Sequence, residues 1–271
     1  MTTLPVFSIQ DQVAVVTGGA GVLCSDMCRA LAGAGAKVVV LDRRHAPAAA
    51  LAAELGEASI GLACDVLDKP SLEAAAQQVL ETFGRVDILI NGAGGNRPQA
   101  STAPGQPFFD LPAEAVRSVF DLNLMGTFLP CQVFGQSLAR QKSGVILNIS
   151  SMNAVRPLTR IPAYSAAKAA VSNFTQWLAV HMAQEYSPVI RVNAIAPGFF
   201  LTDQNRFLMT DERTGELTAR GQAILSHTPM ARFGSPADLL GTMLWLVSPA
   251  SAFVTGAVIP VDGGFSAFSG V

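Results

Sequence analysis

Short runs of apolar residues recur along the chain and alternate with longer stretches of helical periodicity. The first two runs, residues 13–16 and 38–41, contain only Val, Ala and Leu. This pattern is typical of strands that are buried on both faces of a parallel sheet. Runs of similar length predict seven strands in all, at residues 13–16, 38–41, 60–64, 86–90, 145–149, 190–195 and 257–261.

Between these strands the apolar positions recur every three to four residues, which predicts helices. The predicted helices cover residues 22–35, 46–55, 70–83, 112–139 and 238–246, together with a long helix that begins at Pro162. Strands that alternate with helices indicate an α/β fold in which a parallel sheet carries helices on both faces. The chain shows no internal repeat or linker, so residues 1–271 are expected to form a single doubly wound domain.

Polar or turn residues follow five of the predicted strands. Asp42, Asp65, Asn91, Ser151 and Pro197 each come just after the apolar part of a strand. In parallel sheets, ligands bind outside the carboxyl ends of the strands. We therefore expect these five residues to line one rim of the sheet, where a small ligand binds.

The composition argues against several classes of partner. Half of the 271 residues are apolar and 14% are charged, which is enough for a large core. The net charge is −2 without a basic cluster, so nucleic acid and anionic membrane surfaces are not expected partners. No apolar run approaches the ~20 residues of a membrane span, and no signal peptide is recognisable. We expect a soluble, cytoplasmic protein that acts on a small molecule.

The four cysteines do not have the spacing of a metal site. Cys24, Cys28, Cys64 and Cys131 form no Cys-x-x-Cys pair and have no nearby histidine. Two thiols on one helix face do not provide the ligands of a structural zinc ion. We therefore predict four reduced, buried thiols and no bound metal.

A glycine-rich turn joins the first strand to the first helix. Residues 17–21 read Thr-Gly-Gly-Ala-Gly, and Asp42 ends the second strand. This unit is typical of dinucleotide-binding proteins, which place a diphosphate at the helix N-terminus, although a plain tight turn is the alternative. A carboxylate at position 42 accepts hydrogen bonds from ribose hydroxyls and repels a 2′-phosphate, which favours NAD over NADP. Arg43 and Arg44 favour the opposite choice, because arginine pairs with phosphate.

Tyr164 and Lys168 lie four residues apart in the helix that begins at Pro162, so they share one helix face. An ammonium group beside a phenol stabilises the phenolate and lowers the phenol pKa from about 10. The pair is therefore predicted to be an acid and the group that tunes it. On spacing alone, a core tyrosine beside a surface lysine is the simpler interpretation.

Motifs spread over nearly the whole chain resemble those of the short-chain dehydrogenase/reductases. The motifs are Thr17-Gly18 through Cys24, Asp65-Val66, Asn91-Gly92-Ala93-Gly94, Asn123, Ser151, Tyr164-x-x-x-Lys168, and Pro197-Gly198 followed by Thr202. Ser151 precedes Tyr164 by 13 residues, which is the usual spacing in that family. The glycine turn departs from the family's Thr-Gly-x-x-x-Gly-x-Gly, because Val22 and Cys24 occupy the last two glycine positions. Backbone N–H groups survive this change, but helix and strand must then accommodate a thiol.

The resemblance implies a Rossmann-type fold and catalytic roles for four residues. Tyr164 would exchange a proton with the substrate oxygen, and Lys168 would tune it and bind the nicotinamide ribose. Ser151 would bind the substrate oxygen, and Asn123 would hold a water of the proton relay. Taken alone, Ser151 and Asn123 are ordinary capping or turn residues. The implied cofactor-binding residues are Gly18, Ala20, Val22, Leu23, Asp42, Arg43, Asp65, Val66, Asn91, Gly92, Ala93, Tyr164, Lys168, Pro197, Gly198 and Thr202.

Within the family, the sequence is similar to the group of D-mannonate oxidoreductases, also called fructuronate reductases. The similarity lies in residues 92–96, 151–159, 196–206 and 261–266. It implies reduction of D-fructuronate to D-mannonate, which interconverts a keto sugar acid and its hydroxy acid. Cations and amides suit such a substrate, and the candidate substrate residues are Arg97, Asn153, Arg156 and Arg206. The alternatives are another polyol or sugar-acid dehydrogenase, of the gluconate 5-dehydrogenase type, and an inactive dinucleotide-binding protein.

Two segments and two helices carry further expectations. Residues 96–111 form a long loop, and residues 199–228 form a charged stretch that is expected to be a substrate lid. The helices that begin at Pro112 and Pro162 carry apolar residues on more than one face, as helices covered on both sides do. Members of the family usually assemble through these helices, so a homotetramer is expected.

Overall fold

The computed structural model describes residues 5–201, 209–211 and 213–270. In these residues one seven-stranded sheet forms the centre, with all neighbouring strands parallel and in the order β3-β2-β1-β4-β5-β6-β7. The strands are β1 (Val13–Thr17), β2 (Lys37–Asp42), β3 (Ile60–Ala63), β4 (Ile88–Asn91), β5 (Gly144–Ile149), β6 (Ile190–Pro197) and β7 (Val258–Val261).

Helices cover both faces of this sheet. They are α1 (Val22–Gly33), α2 (His45–Leu55), α3 (Lys69–Phe83), α4 (Ala113–Phe120), α5 (Gly126–Gln141), α6 (Pro162–Glu185), α7 (Ala219–Ser226) and α8 (Ala237–Val247). The first three strands extend the sheet in one direction from β1, and β4 pairs with β1 on its opposite side. A crevice forms where the strand order reverses, at the carboxyl ends of β1 and β4.

Successive residues of β1 pack against different helical layers. Val13 and Val15 belong to an apolar cluster with α3, α5 and α6, whereas Ala14 and Val16 belong to a cluster with α1, α2 and α8. All four side chains are buried. Burial on both faces explains why this strand is a continuous apolar run.

The structure confirms the predicted fold. It contains a strand at each of the seven predicted positions, with limits within two residues of those expected. The sheet is parallel and carries helices on both faces, which is the doubly wound, Rossmann-type arrangement.

The continuous helix predicted at residues 112–139 is wrong. The α-helical geometry ends at Phe120, five residues form a π-turn at Asp121–Met125, and α5 begins at Gly126. Asn123 is the physical reason, because its Nδ2 donates to Val119 O at 2.8 Å and inserts a side chain into the helical ladder. Such bulges often mark functional positions.

The four cysteines are free and buried, as predicted. The described ranges contain no cluster of three His, Cys, Asp or Glu side chains able to hold a metal ion. Among the described residues, no helix combines the length and the hydropathy that a bilayer span requires.

Candidate active site

The turn between β1 and α1 brings the backbone close to neighbouring strands. Gly18 has a φ of +61°, and a Cβ there would lie 2.9 Å from Ala93 Cα. A Cβ at Gly19 would lie 2.9 Å from Val16 O. Gly21 is the N-cap of α1 and provides no side-chain cap, so the first N–H groups of the helix are left for a ligand.

Asp42 lies at the end of β2, where a ribose-binding carboxylate was predicted. Its side chain is 12% exposed, and the Nε of Arg44 lies 3.7 Å from Oδ1. The backbone N–H of Arg44 also donates to Asp42 Oδ1, at 3.1 Å. The carboxylate is therefore held at the rim by Arg44, while Arg43 is exposed beside it.

A cleft of about 320 Å³ opens at the carboxyl edge of the sheet. It brings together the ends of β1, β4, β5 and β6 with the first turn of α1 and the start of α6. Its lining residues are Gly18, Gly21, Val22, Leu23, Cys24, Gly92, Gly94, Ile149, Ser150, Ser151, Tyr164, Pro197, Gly198 and Phe200.

These features fit a dinucleotide. A turn without room for side chains lets the backbone approach a diphosphate, and uncapped helix N–H groups face it. A carboxylate at the end of the neighbouring strand is placed for ribose hydroxyls. The fit thus depends on the geometry of Gly18, Gly21 and Asp42 and not on a sequence motif alone.

Other predicted cofactor residues occupy the neighbouring strand ends. Asp65 follows β3, and its Oδ1 accepts the Leu67 N–H at 2.9 Å, while Val66 packs against Gly126. The side chain of Asn91 turns into the sheet, where its Nδ2 donates to Asn148 Oδ1 at 2.9 Å. Ala20 and Ala93 are partly buried beside the glycine turn. Thr202 lies outside the described residues.

Ser151, Tyr164 and Lys168 come together in the cleft. Tyr164 lies in the first turn of α6, and Lys168 lies one turn further along the same face. Lys168 Nζ is 5.7 Å from the centroid of the Tyr164 ring and donates to Ile149 O at 2.7 Å. Only 4% of Lys168 is exposed, so its charge lies inside the protein.

The predicted lowering of the Tyr164 pKa is wrong in this structure. Burial raises the pKa of the phenol above its ordinary value, and a hydrogen bond with Ser151 only partly opposes that effect. Burial also lowers the pKa of Lys168 to about 8. At neutral pH the site therefore presents a protonated phenol beside an ammonium group, which is the form that can donate a proton.

Asn123 links the π-turn to the loop after β4. Its Nδ2 donates to Gly95 O at 2.7 Å, and its Oδ1 accepts the Gly95 N–H at 3.2 Å. The side chain is fully buried. These bonds fix the backbone at Gly94, where a Cβ would lie 3.2 Å from Lys168 Nζ.

Three of the four predicted substrate residues lie in loops that the structure describes, and none of these three is among the residues that line the cleft. Asn153 is 5% exposed, its N–H donates to Ser151 Oγ at 3.3 Å, and its Oδ1 has no partner among the described residues. Arg156 is exposed, and its Nε donates to Ser266 O at 3.0 Å. Arg97 is exposed in the loop after β4. Arg206 lies outside the residues that the structure describes.

Several parts of the site were not predicted from the sequence. The Ile149 carbonyl that accepts from Lys168 and the Ser266 carbonyl that accepts from Arg156 are backbone groups, which leave no side-chain signal. Phe200 lines the cleft through a segment whose path the sequence pattern does not predict. The Asn91–Asn148 bond depends on strand register, which pairs these two residues across β4 and β5.

Comparison with known proteins gives relatives along nearly the full chain. Uncharacterized oxidoreductase UxuB of Bacillus subtilis (strain 168) is 50% identical over 276 residues, covering 97% of this chain and 98% of that protein. A provisionally named D-mannonate oxidoreductase from Haemophilus influenza, solved with bound NAD, has a TM-score of 0.91 at 44% identity, covering 97% and 98% of the two chains. A gluconate 5-dehydrogenase from Burkholderia cenocepacia J2315, solved with NADP and tartrate, has a TM-score of 0.86 at 30% identity, with coverage of 97% and 98%.

The family assignment agrees with these similarities and with the site. The model of the short-chain dehydrogenase family matches residues 12–213. That range includes the glycine turn, Ser151 and the Tyr164–Lys168 pair, which the structure brings to one cleft. The protein therefore belongs to the short-chain dehydrogenase family and is an oxidoreductase of that family.

Proposed function

We propose that the protein is an NAD(H)-dependent oxidoreductase that interconverts a keto sugar acid and its hydroxy acid, with D-fructuronate and D-mannonate as the pair. The observation that carries the proposal is the loop that follows β5. It presents Ser151 to the catalytic tyrosine and, within five residues, the buried amide of Asn153 and the guanidinium of Arg156. The similarity to the provisionally named D-mannonate oxidoreductase supports the same substrate class.

A nicotinamide dinucleotide held by the Gly18 turn and Asp42 would supply a hydride to the carbonyl carbon in the reductive direction. The carbonyl oxygen gains negative charge as this happens, so a donor must already point at it. The Tyr164 hydroxyl gives its proton to that oxygen, and the product is a neutral alcohol. Ser151 Oγ lies beside the phenol and holds the same oxygen in line with it.

Lys168 acts through charge. Its ammonium group, held by the Ile149 carbonyl, stabilises the phenolate that Tyr164 leaves after it donates its proton. In the oxidative direction the phenolate takes the proton back from the substrate hydroxyl. Asn123 holds the loop that passes over Lys168 and so preserves this arrangement.

The substrate is held by the loops that follow β4, β5 and β6. Arg156 keeps its Nη atoms for a carboxylate while its Nε is fixed by Ser266 O. The buried Oδ1 of Asn153 has no donor among the described residues, and a shift of its loop on substrate binding would let it accept from a sugar hydroxyl. Arg97 adds positive charge in the loop after β4. The expected lid at residues 199–228, and the role of Arg206 within it, involve residues outside the described ranges and stay predictions for the single domain spanning residues 1–271.

NAD is the proposed cofactor, because the rim carries a carboxylate at Asp42 and Arg44 is engaged with it. The remaining arginine, Arg43, supports NADP only if it turns toward the ribose. The NAD bound to the Haemophilus influenza protein supports the first choice. A tenfold preference of the enzyme for NADPH would contradict it.

A second candidate is a polyol or sugar-acid dehydrogenase of the gluconate 5-dehydrogenase type. The gluconate 5-dehydrogenase of Burkholderia cenocepacia J2315 has the same fold over 97% of this chain, which favours that alternative. Tyr164, Ser151 and Lys168 serve both reactions equally, so the loops alone discriminate between them.

A substrate panel tests the proposal. Purified protein would be assayed with D-fructuronate, 5-keto-D-gluconate and a neutral ketose, each with NADH and with NADPH. We expect the highest kcat/KM with D-fructuronate and NADH. A higher kcat/KM with 5-keto-D-gluconate would establish the second candidate, and equal activity with the neutral ketose would show that no carboxylate is recognised.

The proposed assembly is a homotetramer. Phe174, Trp177 and His181 stack along the outer face of α6, with ring centroids 6.2 and 4.8 Å apart, and Phe128 of α5 extends the row. Trp177 is 56% exposed although it is among the largest apolar side chains. A second copy of the chain would cover this face. Light scattering at four times the mass of one chain supports the proposal, and a monomer contradicts it.

A cytoplasmic location completes the proposal. The four free, buried thiols suit a reducing compartment, where NAD(H) is also present.

A further inference from the structure

The structure shows how the first turn of α1 accommodates a thiol. Cys24 is the third residue of α1, its side chain is buried, and it lines the cleft between the helix and the strand ends. The residue that faces it is Gly92, which follows β4. A Cβ built on Gly92 would overlap Cys24 Sγ, whereas it would lie 3.6 Å from Cys24 Cβ, an ordinary contact.

Gly92 is also held by β1. Its N–H donates to Thr17 O and to Thr17 Oγ1, each at 3.2 Å, so the backbone cannot withdraw from α1 without breaking these bonds. A Cβ on Gly92 would in addition lie 2.9 Å from Thr17 O. The space between α1 and the end of β4 therefore has room for one side-chain atom of this size, and Cys24 Sγ fills it.

We propose that Cys24 and Gly92 are a reciprocal packing pair that sets the distance between the first turn of α1 and the β4 end, so that Cys24 is a positioning residue for the cofactor diphosphate. The thiol takes the volume that a side chain at position 92 would need. A larger group on either side pushes the helix N-terminus away from the Gly18 turn. The inference rests on the proposed dinucleotide site and is independent of the substrate.

The thiol acts by its size and not by its chemistry. Burial raises the pKa of Cys24 to about 12, so the thiolate is absent at neutral pH. Its position near Lys168 and Asp42 does not change that state. An uncharged, compact group is what a spacer between a helix and a strand end requires.

A four-variant cycle tests the pair. NADH dissociation constants and unfolding midpoints would be measured for the wild type, Cys24→Ala, Gly92→Ala and the double variant. We expect Gly92→Ala to weaken NADH binding about tenfold, because overpacking at a fixed backbone displaces the helix. Cys24→Ala alone should weaken it by less than about threefold, since only one atom is lost.

In the double variant, most of the loss should be recovered, because on the α1 side the methyl group introduced at position 92 then meets the Cβ at position 24 at an ordinary distance. The contact with Thr17 O leaves a residual defect of about threefold. If kcat at saturating NADH also falls in Gly92→Ala, the double variant should recover it together with NADH binding, because both losses come from the displaced helix.

Cys28→Ala in the Gly92→Ala background is the matched control, because Cys28 is a buried thiol of the same helix that does not face Gly92. It should recover nothing. Equal NADH binding by Gly92→Ala and the Gly92→Ala/Cys24→Ala protein would overturn the pair. If Gly92→Ala does not fold, recovery of folding in the double variant supports the pair and its absence refutes it. A wild-type protein that binds neither NADH nor NADPH refutes the proposed cofactor, whereas the unfolding midpoints still test the packing.

Discussion

The two sides of the cleft are built in different ways. On the cofactor side, Gly18 and Asp42 lie directly at strand ends and are held by the sheet. On the proposed substrate side, Arg97 and Arg156 lie in loops and are exposed. The first side therefore has one geometry that strand pairing imposes, whereas the second depends on contacts between segments that are distant in sequence.

The hydrogen bonds show the difference directly. β1 pairs with β2 and β4 in a continuous ladder, and Thr17 Oγ1 accepts the N–H groups of Gly92 and Ala93 at its end. In the proposed substrate loops, individual hydrogen bonds join distant segments: Thr102 N–H donates to Arg160 O, and Arg156 Nε donates to Ser266 O. A family-wide function can thus reside in the strand ends, while loop contacts set the substrate.

The largest effect is expected at Tyr164, which serves both sides. Tyr164→Phe removes the proton donor and keeps the ring, so kcat should fall about 10³-fold. The NADH dissociation constant should change by less than about threefold, because the phenol hydroxyl is only one of many cofactor contacts. Steady-state rates and NADH titration measure the two quantities.

Tyr186→Phe is the matched control, because Tyr186 is the other tyrosine and lies exposed at the end of the same helix. It should retain full activity. A Tyr164→Phe enzyme with more than a tenth of the wild-type kcat would show that another group donates the proton.

The next largest effect is expected at Arg156 and only on the substrate side. Arg156→Ala should raise KM for the keto sugar acid about 10- to 100-fold, because a charge-assisted hydrogen bond contributes about 1.5–3 kcal/mol. Its KM for NADH should not change. Arg156→Lys keeps the charge but loses the planar fork and the Nε donor, so an intermediate KM is expected.

A neutral ketose provides the internal control for Arg156, since it has no carboxylate to lose. Equal increases in KM for the neutral and acidic substrates would show that Arg156 stabilises the loop through its hydrogen bond to Ser266 O and does not bind the carboxylate. That outcome would break the division between the two sides.

The same division explains what the sequence predicted. The seven strands, the glycine turn and the rim residues could be predicted, because each strand is a local apolar run and the residues that follow it mark its end. In β1 and β4, for example, apolar residues lead directly to Thr17 and Asn91. The π-turn at Asn123 was missed because a side chain competes with the helical ladder there. The pKa of Tyr164 was predicted in the wrong direction, because helical spacing gives the distance to Lys168 but not the burial that dominates. The Arg156–Ser266 bond joins residues 110 positions apart, which no local pattern encodes.

A smaller effect is expected at Asp42 and only on the cofactor side. Asp42→Ala removes the acceptor for ribose hydroxyls and releases Arg44, so NADH should bind about tenfold more weakly while NADPH improves. KM for the keto acid at saturating cofactor should stay the same. Ratios of kcat/KM for NADH and NADPH measure the change.

Asp26→Ala is the control for Asp42, because Asp26 is a partly exposed carboxylate of α1 that pairs with Arg29. It should leave the cofactor ratio unchanged. If the ratio of kcat/KM for NADH and NADPH is unaltered in Asp42→Ala, the carboxylate does not select the cofactor, and Arg43 becomes the candidate for that role.

The smallest effect concerns the pH dependence of the wild-type enzyme. The pKa of Lys168 is lowered to about 8 by burial, so its charge is present below pH 8 and is lost above it. The pKa of Tyr164 is raised, so the phenol stays protonated over the same range. The reductive kcat should therefore be constant near pH 7 and about fourfold lower at pH 8.5, where most of the lysine is neutral.

Lys168→Arg identifies the group responsible. Arginine stays charged to beyond pH 12, so the alkaline decline should move upward even though the maximal rate is lower. A decline that stays near pH 8 in this variant would assign it to another group, and a wild-type decline that begins only near pH 10 would mean that bound cofactor restores the lysine pKa. In the second case, the pKa of Lys168 would depend on the bound cofactor as well as on the protein. The geometry of the cofactor side would then be formed before the ligand binds, but its charge would not.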